Sequence, residues 1–152
     1  MRHCGHFLPG FKTTYLTVGI LYVLMAGSLF LRGLMNSMRE FKVPEIILQS
    51  PYYYDSIYWV YTHMMMIGLI LCVTGLYASE PKLKKGLSVL LFLVHVYYTY
   101  LDFRTSDSVL GNGLYQGPAS LFPAVITLCI TILFLHLSLC NNSRATKPTE
   151  NE

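Results

Sequence analysis

The sequence is short of charge. Lys, Arg, Asp and Glu make up 12% of its 152 residues, against roughly 25% in soluble globular domains. It also lacks any Cys-x-x-Cys spacing, which argues against a thiol oxidoreductase. Its four cysteines, Cys4, Cys72, Cys129 and Cys140, leave the segments between the first and second and between the third and fourth apolar runs empty. No disulfide framework is therefore expected. The little charge there is falls into short segments, and between them lie four stretches without formal charge, 13–31, 56–79, 86–101 and 119–142.

A helix needs about 20 apolar residues to cross a bilayer core. Three stretches reach or nearly reach that length. The third does so only if Lys84 and Lys85 snorkel at one end and Asp102 sits at the opposite interface. Soluble helices keep one polar face, whereas 67–73 is apolar all round. The expected fold is all-α, a four-helix transmembrane bundle with antiparallel up-down topology. Its spans are placed at about 13–34, 56–78, 84–103 and 118–140, between a tail at 1–12 and a disordered tail at 141–152. A rival reading makes the first span a cleaved signal peptide with small residues Ala26 and Ser28 before the cut, but the run exceeds the usual signal core.

Orientation follows the bias of cytoplasmic loops toward Lys and Arg. With the N-terminus inside, Arg2, Lys12, Lys82, Lys84, Lys85, Arg144 and Lys147 lie inside, and Arg32, Arg39, Lys42 and Arg104 outside. Both termini are thus expected to be cytoplasmic, in an inner cell membrane. His3, Cys4 and His6 are soft ligands, with His136 and Cys140 expected on the same side, yet their spacing matches no closed zinc site. An incidental tail is the preferred reading. Asn141 opens an Asn-x-Ser sequon that a cytoplasmic position would leave unmodified.

The outer half is richer. Pro44 to Pro51 suits one amphipathic turn on the membrane surface. Tyr52, Tyr53, Tyr54, Tyr58, Trp59 and Tyr61 then read as an aromatic belt, but Thr62 and His63 continue it inward. In the third span, His95, Tyr98, Thr99 and Asp102 share one helical stripe, and Asp55, Tyr58, Trp59, Thr62 and His63 form a broader one in the second. At 1.5 Å per residue, His63 lies about 12 Å below Asp55 and His95 about 10 Å below Asp102. A short connection should pack the two spans as antiparallel neighbours, so the imidazoles are expected to be level and to face each other or a shared cavity.

Such intramembrane ionisable groups are functional candidates. The alternatives are a lipophilic-ligand pocket, which includes quinone, lined by His63, His95, Tyr58, Trp59, Thr62, Tyr98 and Thr99; a b-type haem with His63 and His95 as axial ligands; proton relay toward Asp55 and Asp102; and plain interhelical hydrogen bonding that glues the bundle. Haem is disfavoured because only two histidines are well placed and the tyrosines compete for its volume. Asp55, Asp102, Arg32 and Arg104 are expected to form an outer-mouth charge network with a structural role. Met64, Met65 and Met66 point in three directions and so read as core filling rather than a copper site.

The loop from Ser106 to Pro118 carries Gly111, Asn112, Gly113, Leu114, Tyr115, Gln116, Gly117 and Pro118. Its glycine spacing is one residue too long for a dinucleotide loop, no strand precedes it, and a turn at Asn112–Gly113 fits better. Pro118 suits the first turn of the fourth span, while Pro123 should bend that span. Through this stretch and its span count, the chain resembles the BphX-like family. That resemblance implies a small four-span bacterial membrane protein associated with operons for aromatic-compound breakdown, without a defined activity. The likeness to DoxX-like four-helix proteins is one of architecture, which does not carry function.

The sequence therefore predicts a non-enzymatic, accessory or small-lipophile-binding membrane protein. The alternatives are a haem- or quinone-binding redox subunit and a structural partner of a membrane complex. Small residues at Gly68, Cys72 and Gly75 favour the last. The expected partners are the lipid bilayer, a small lipophilic ligand, and another membrane protein or a second copy; no nucleic acid is expected.

Overall fold

The computed structural model describes residues 8–40, 43–106 and 121–140, and all regular structure among them is helical. In chain order the helices are α1 (Phe11–Arg32), α2 (Leu34–Glu40), α3 (Glu45–Leu48), α4 (Pro51–Tyr77), α5 (Pro81–Ser106) and α6 (Phe122–Leu139). Four of them, α1, α4, α5 and α6, are long and apolar enough to cross a membrane.

Local chemistry sets the boundaries. Gly33 ends α1 with φ at +81°, a conformation that only glycine adopts without strain, and α2 can then start one residue later. Prolines open α4 and α5, where a missing N–H costs nothing. Pro123 also lies in the first turn of α6, so it starts that helix instead of bending it. Pro118, expected at that place, lies outside the described residues. The surface turn expected near Pro44–Pro51 is α3, but α2 was not foreseen.

The packing runs through α1. It lies along α4 on one side, while α5 lies along α6 on the other; α4 and α5, despite their short connection, make at most a marginal contact. The expected α4–α5 neighbourhood is therefore replaced by α1–α4. That contact is made close by small residues: a Cβ built on Gly19 would stand 2.7 Å from the Gly68 carbonyl oxygen and 2.7 Å from Cys72 Sγ. Phe11, Tyr15, Val18 and Tyr22 join Leu71 of α4 and Ile130, Phe134 and Leu137 of α6 in the main core. Tyr15 and Phe134 are fully buried and meet edge to face at 5.4 Å, worth about 0.5–1.5 kcal/mol beyond area burial.

A second core caps the other end. Leu34, Met38, Val43 and Leu48 pack against Leu29 and Phe30 of α1 and Tyr53, Ile57 and Tyr58 of α4. An Arg39–Glu45 ion pair at 3.0 Å ties α2 to α3. The hydrogen bond from Arg39 holds the Glu45 carboxyl below its ordinary range, and the same bond raises Arg39. A depressed carboxyl contributes stability above its unfolded pKa of about 4.3 and loses it as pH falls through the folded value. Amide protection in α2 and α3 should accordingly drop modestly in acid, and Glu45→Gln should abolish that dependence. Both side chains are more than half exposed, so high salt should erase the effect as well. Protection in α2 and α3, relative to intrinsic exchange, that is unchanged with pH in the native chain would show that the pair anchors nothing.

Candidate functional site

His95 is buried in the bundle, with 1% of its surface exposed. Its Nδ1 lies 2.8 Å from the Leu91 carbonyl, which can only accept, so Nδ1 carries the proton. In the neutral ring Nε2 is then an acceptor, and Tyr22 Oη donates to it across 2.7 Å. Two turns away along the same helices, Ser88 donates to the Lys84 carbonyl at 2.8 Å. Its single proton is thereby used, and Tyr15 Oη donates to Ser88 Oγ at 3.3 Å. Toward α6, Thr131 donates to the Thr127 carbonyl at 2.7 Å, so Thr99 donates to Thr131 Oγ1 at 2.9 Å. This polar seam binds α5 to α1 and α6, and each of its bonds has a defined direction.

His63 stands elsewhere. It is exposed on α4, its Nδ1 lies 2.7 Å from the Trp59 carbonyl, and its ring stacks on the Trp59 indole at 5.1 Å between centroids. No contact joins it to His95 among the described residues. The two imidazoles are thus not brought to one cavity, and bis-histidine ligation of a haem does not fit: Tyr22 occupies Nε2 of His95, and the other ring faces out of the bundle. No group of three or more His, Cys, Asp or Glu among the described residues can hold a metal. The His3–Cys4–His6 cluster lies outside those residues.

The remaining pocket candidates are divided. Thr99 is buried on the α6 side. Tyr98 is exposed and meets His95 edge-on at 5.8 Å. Tyr58 is half-buried between Phe30 and Tyr54, and Thr62 is half-buried on α4. Of the outer charges, Asp55, Arg32 and Arg104 are exposed, whereas Asp102 is partly buried within hydrogen-bonding reach of Thr127. The one salt bridge among the described residues is Arg39–Glu45, so these four form no network there. Met64 packs on the main core while Met66 is exposed, which separates the methionine thioethers.

Sequence reasoning missed Tyr15, Tyr22, Ser88 and Thr131. A signal was present, because Tyr15 and Tyr22 are seven apart, as are Ser88 and His95, and a shared spacing is what two facing helices require. Cys140 is disulfide-bonded, against the expectation of no oxidised pair; its partner lies outside the described residues. Comparison with family models, curated proteins and solved structures finds no match.

Proposed function

We propose that the chain is a multi-pass integral membrane protein without a reaction of its own, which holds a small lipophilic, hydroxyl-bearing molecule against the outer half of α4. The Trp59–His63 stack carries this reading. Trp59 is 67% exposed and offers a flat aromatic surface. With Nδ1–H given to the Trp59 carbonyl, His63 presents Nε2 as an acceptor with no donor among the described residues. An ionisable group directed at hydrocarbon is costly, and a phenol or quinol could stack on the indole while donating to Nε2. The BphX-like resemblance, with its association with aromatic compounds, agrees with that chemistry but specifies no ligand.

The same reading makes the bundle antiparallel up-down. In its support, Tyr15 lies against Gly75 and Tyr22 against Gly68, as opposite senses of α1 and α4 require, and the Tyr15–Ser88 and Tyr22–His95 bonds agree with α1 and α5 in the same sense. The Lys82–Lys85 cluster between α4 and α5 favours cytoplasmic termini in an inner cell membrane. The oxidised Cys140 pulls the other way, since disulfides persist on the oxidising side, but the basic bias acts during insertion and so sets the orientation. Gly68, Cys72 and Gly75, which favoured docking to another protein, are taken up by α1.

Trp59 is the chain's single tryptophan, so its fluorescence reports on the stack alone. With the chain in lipid nanodiscs, an added alkyl hydroquinone should quench it saturably. His63→Leu should weaken the apparent affinity about fivefold, the worth of one neutral hydrogen bond. The dimethyl ether of the same compound, which has no donor, should bind the native chain as weakly. Quenching that rises linearly without saturation, or that ignores both changes, defeats the proposal.

A further inference from the structure

At the end of the bundle that carries the α4–α5 turn, a cavity of about 120 Å³ opens between the start of α5, the start of α1 and the end of α6. Lys82, Lys84 and Lys85 line it together with Ser88, Phe11 and Leu137. None of the three ammonium groups has a carboxylate partner among the described residues, where the only salt bridge is the distant Arg39–Glu45 pair. Glu80, the carboxylate on the turn, is exposed and pairs with none of them. Lys84 is half-buried and is held over the Phe11 ring, 5.4 Å from its centroid.

Three features distinguish this place from lysines that merely snorkel. The three lysines border a concavity instead of spreading over a convex surface. Lys84 is fixed by a cation–π contact, so part of its rotamer freedom is already lost. The floor, finally, holds no competing anion among the described residues, since no Asp or Glu lines it. Below the rim, α5 and α6 expose apolar side chains, Leu90 and Ile132 among them, suited to acyl chains.

We infer that this cavity binds the phosphate of an anionic lipid headgroup, with the lysines as its counter-charges and the acyl chains lying on the exposed faces of α5 and α6. Basic pockets between membrane helices are suited to such headgroups, and each lysine near the surface is worth enough to change affinity about fivefold. The site rests on the reading of the chain as membrane-embedded, but not on the Trp59–His63 ligand, which belongs to the other half of α4.

The test uses the full chain in detergent micelles, with phosphatidylglycerol or phosphatidylcholine titrated in and bound lipid counted by native mass spectrometry. The native chain should retain phosphatidylglycerol selectively. Lys82→Gln and Lys85→Gln, both at exposed positions that leave the Phe11 contact intact, should each lower that affinity about fivefold. Lys12→Gln, a charge change at the same end but outside the cavity lining, should not alter it. Equal retention of the two lipids, or selectivity unaffected by the cavity variants, overturns the proposal. Displacement of phosphatidylglycerol by excess inorganic phosphate would show a site for the free oxyanion and overturn the lipid assignment. A flotation assay separates the premises: a chain that floats with vesicles of either composition but shows no headgroup preference loses only this site, whereas one that floats with neither loses the membrane reading too.

Discussion

Gly68→Val should part α1 from α4 and cost about 3 kcal/mol or more, the upper end of the range for overpacking a well-packed contact. A Cβ at position 68 would sit 2.8 Å from the Gly19 carbonyl oxygen, 2.9 Å from Val23 Cγ2 and 3.0 Å from Tyr22 Cβ. The first of these neighbours is backbone and cannot turn aside, so the helices themselves must separate. Between helices in lipid, association depends on close packing because water drives nothing there. Separation therefore forfeits the contact along much of its length. Gly27→Ala supplies the comparison: nothing lies within 4 Å of a Cβ there, and removing a helix-interior glycine should be neutral or stabilising by about 0.5–1 kcal/mol. Thermal or denaturant unfolding in detergent micelles measures both. If the two substitutions shifted stability alike, the close approach of α1 and α4 would be wrong.

His95→Ala is expected to cost about 3 kcal/mol, because it opens a cavity and leaves the buried Tyr22 hydroxyl without its acceptor. Tyr22→Phe should cost less, since one hydroxyl is removed and the ring remains. The two substitutions should not add. Interhelical hydrogen bonds in membranes are worth roughly 0.6–1.7 kcal/mol by double-mutant cycles, and the Tyr22–His95 coupling belongs within that range. A cycle measured by unfolding in micelles decides the role of this histidine. Zero coupling would mean that the 2.7 Å bond does not form, and an His95→Ala chain of unchanged stability would return His95 to the list of ligand-binding groups.

The four long helices were legible because charge marks their ends: the Lys82–Lys85 cluster and the Arg32, Asp55 and Asp102 boundaries bracket runs with no other reason to be free of charge. Short α2 was not legible. Its sequence, Leu-Met-Asn-Ser-Met-Arg-Glu, mixes polar and apolar residues over less than two turns, and it is stable only because Leu34 and Met38 find Val43 and Leu48.

The error over His63 and His95 has a geometric source. Residue counts give depth along a helix, but not rotation about its axis. Gly68, Cys72 and Gly75 define the face of α4 that meets α1, and His63 precedes Gly68 by five residues. At 100° per residue that places it about 140° away, nearly opposite the packed face. With the small residues as the seam inside this chain, the outward position of His63 follows. The partner of His95 was harder to find, because an ordinary tyrosine in α1 looks like a belt or core residue until its spacing is matched with that of α5.

The two hydrogen bonds from α1 to α5 each join residues 73 positions apart. Ribosomes add about 5–20 residues per second, so Tyr15 and Tyr22 leave the tunnel roughly 4–15 s before Ser88 and His95 do. For that interval the helix on which the others assemble carries two hydroxyls with no permanent acceptor. It must wait beside water, lipid headgroups or the insertion machinery. The polar groups of α1 are thus satisfied only when the third long helix, α5, arrives.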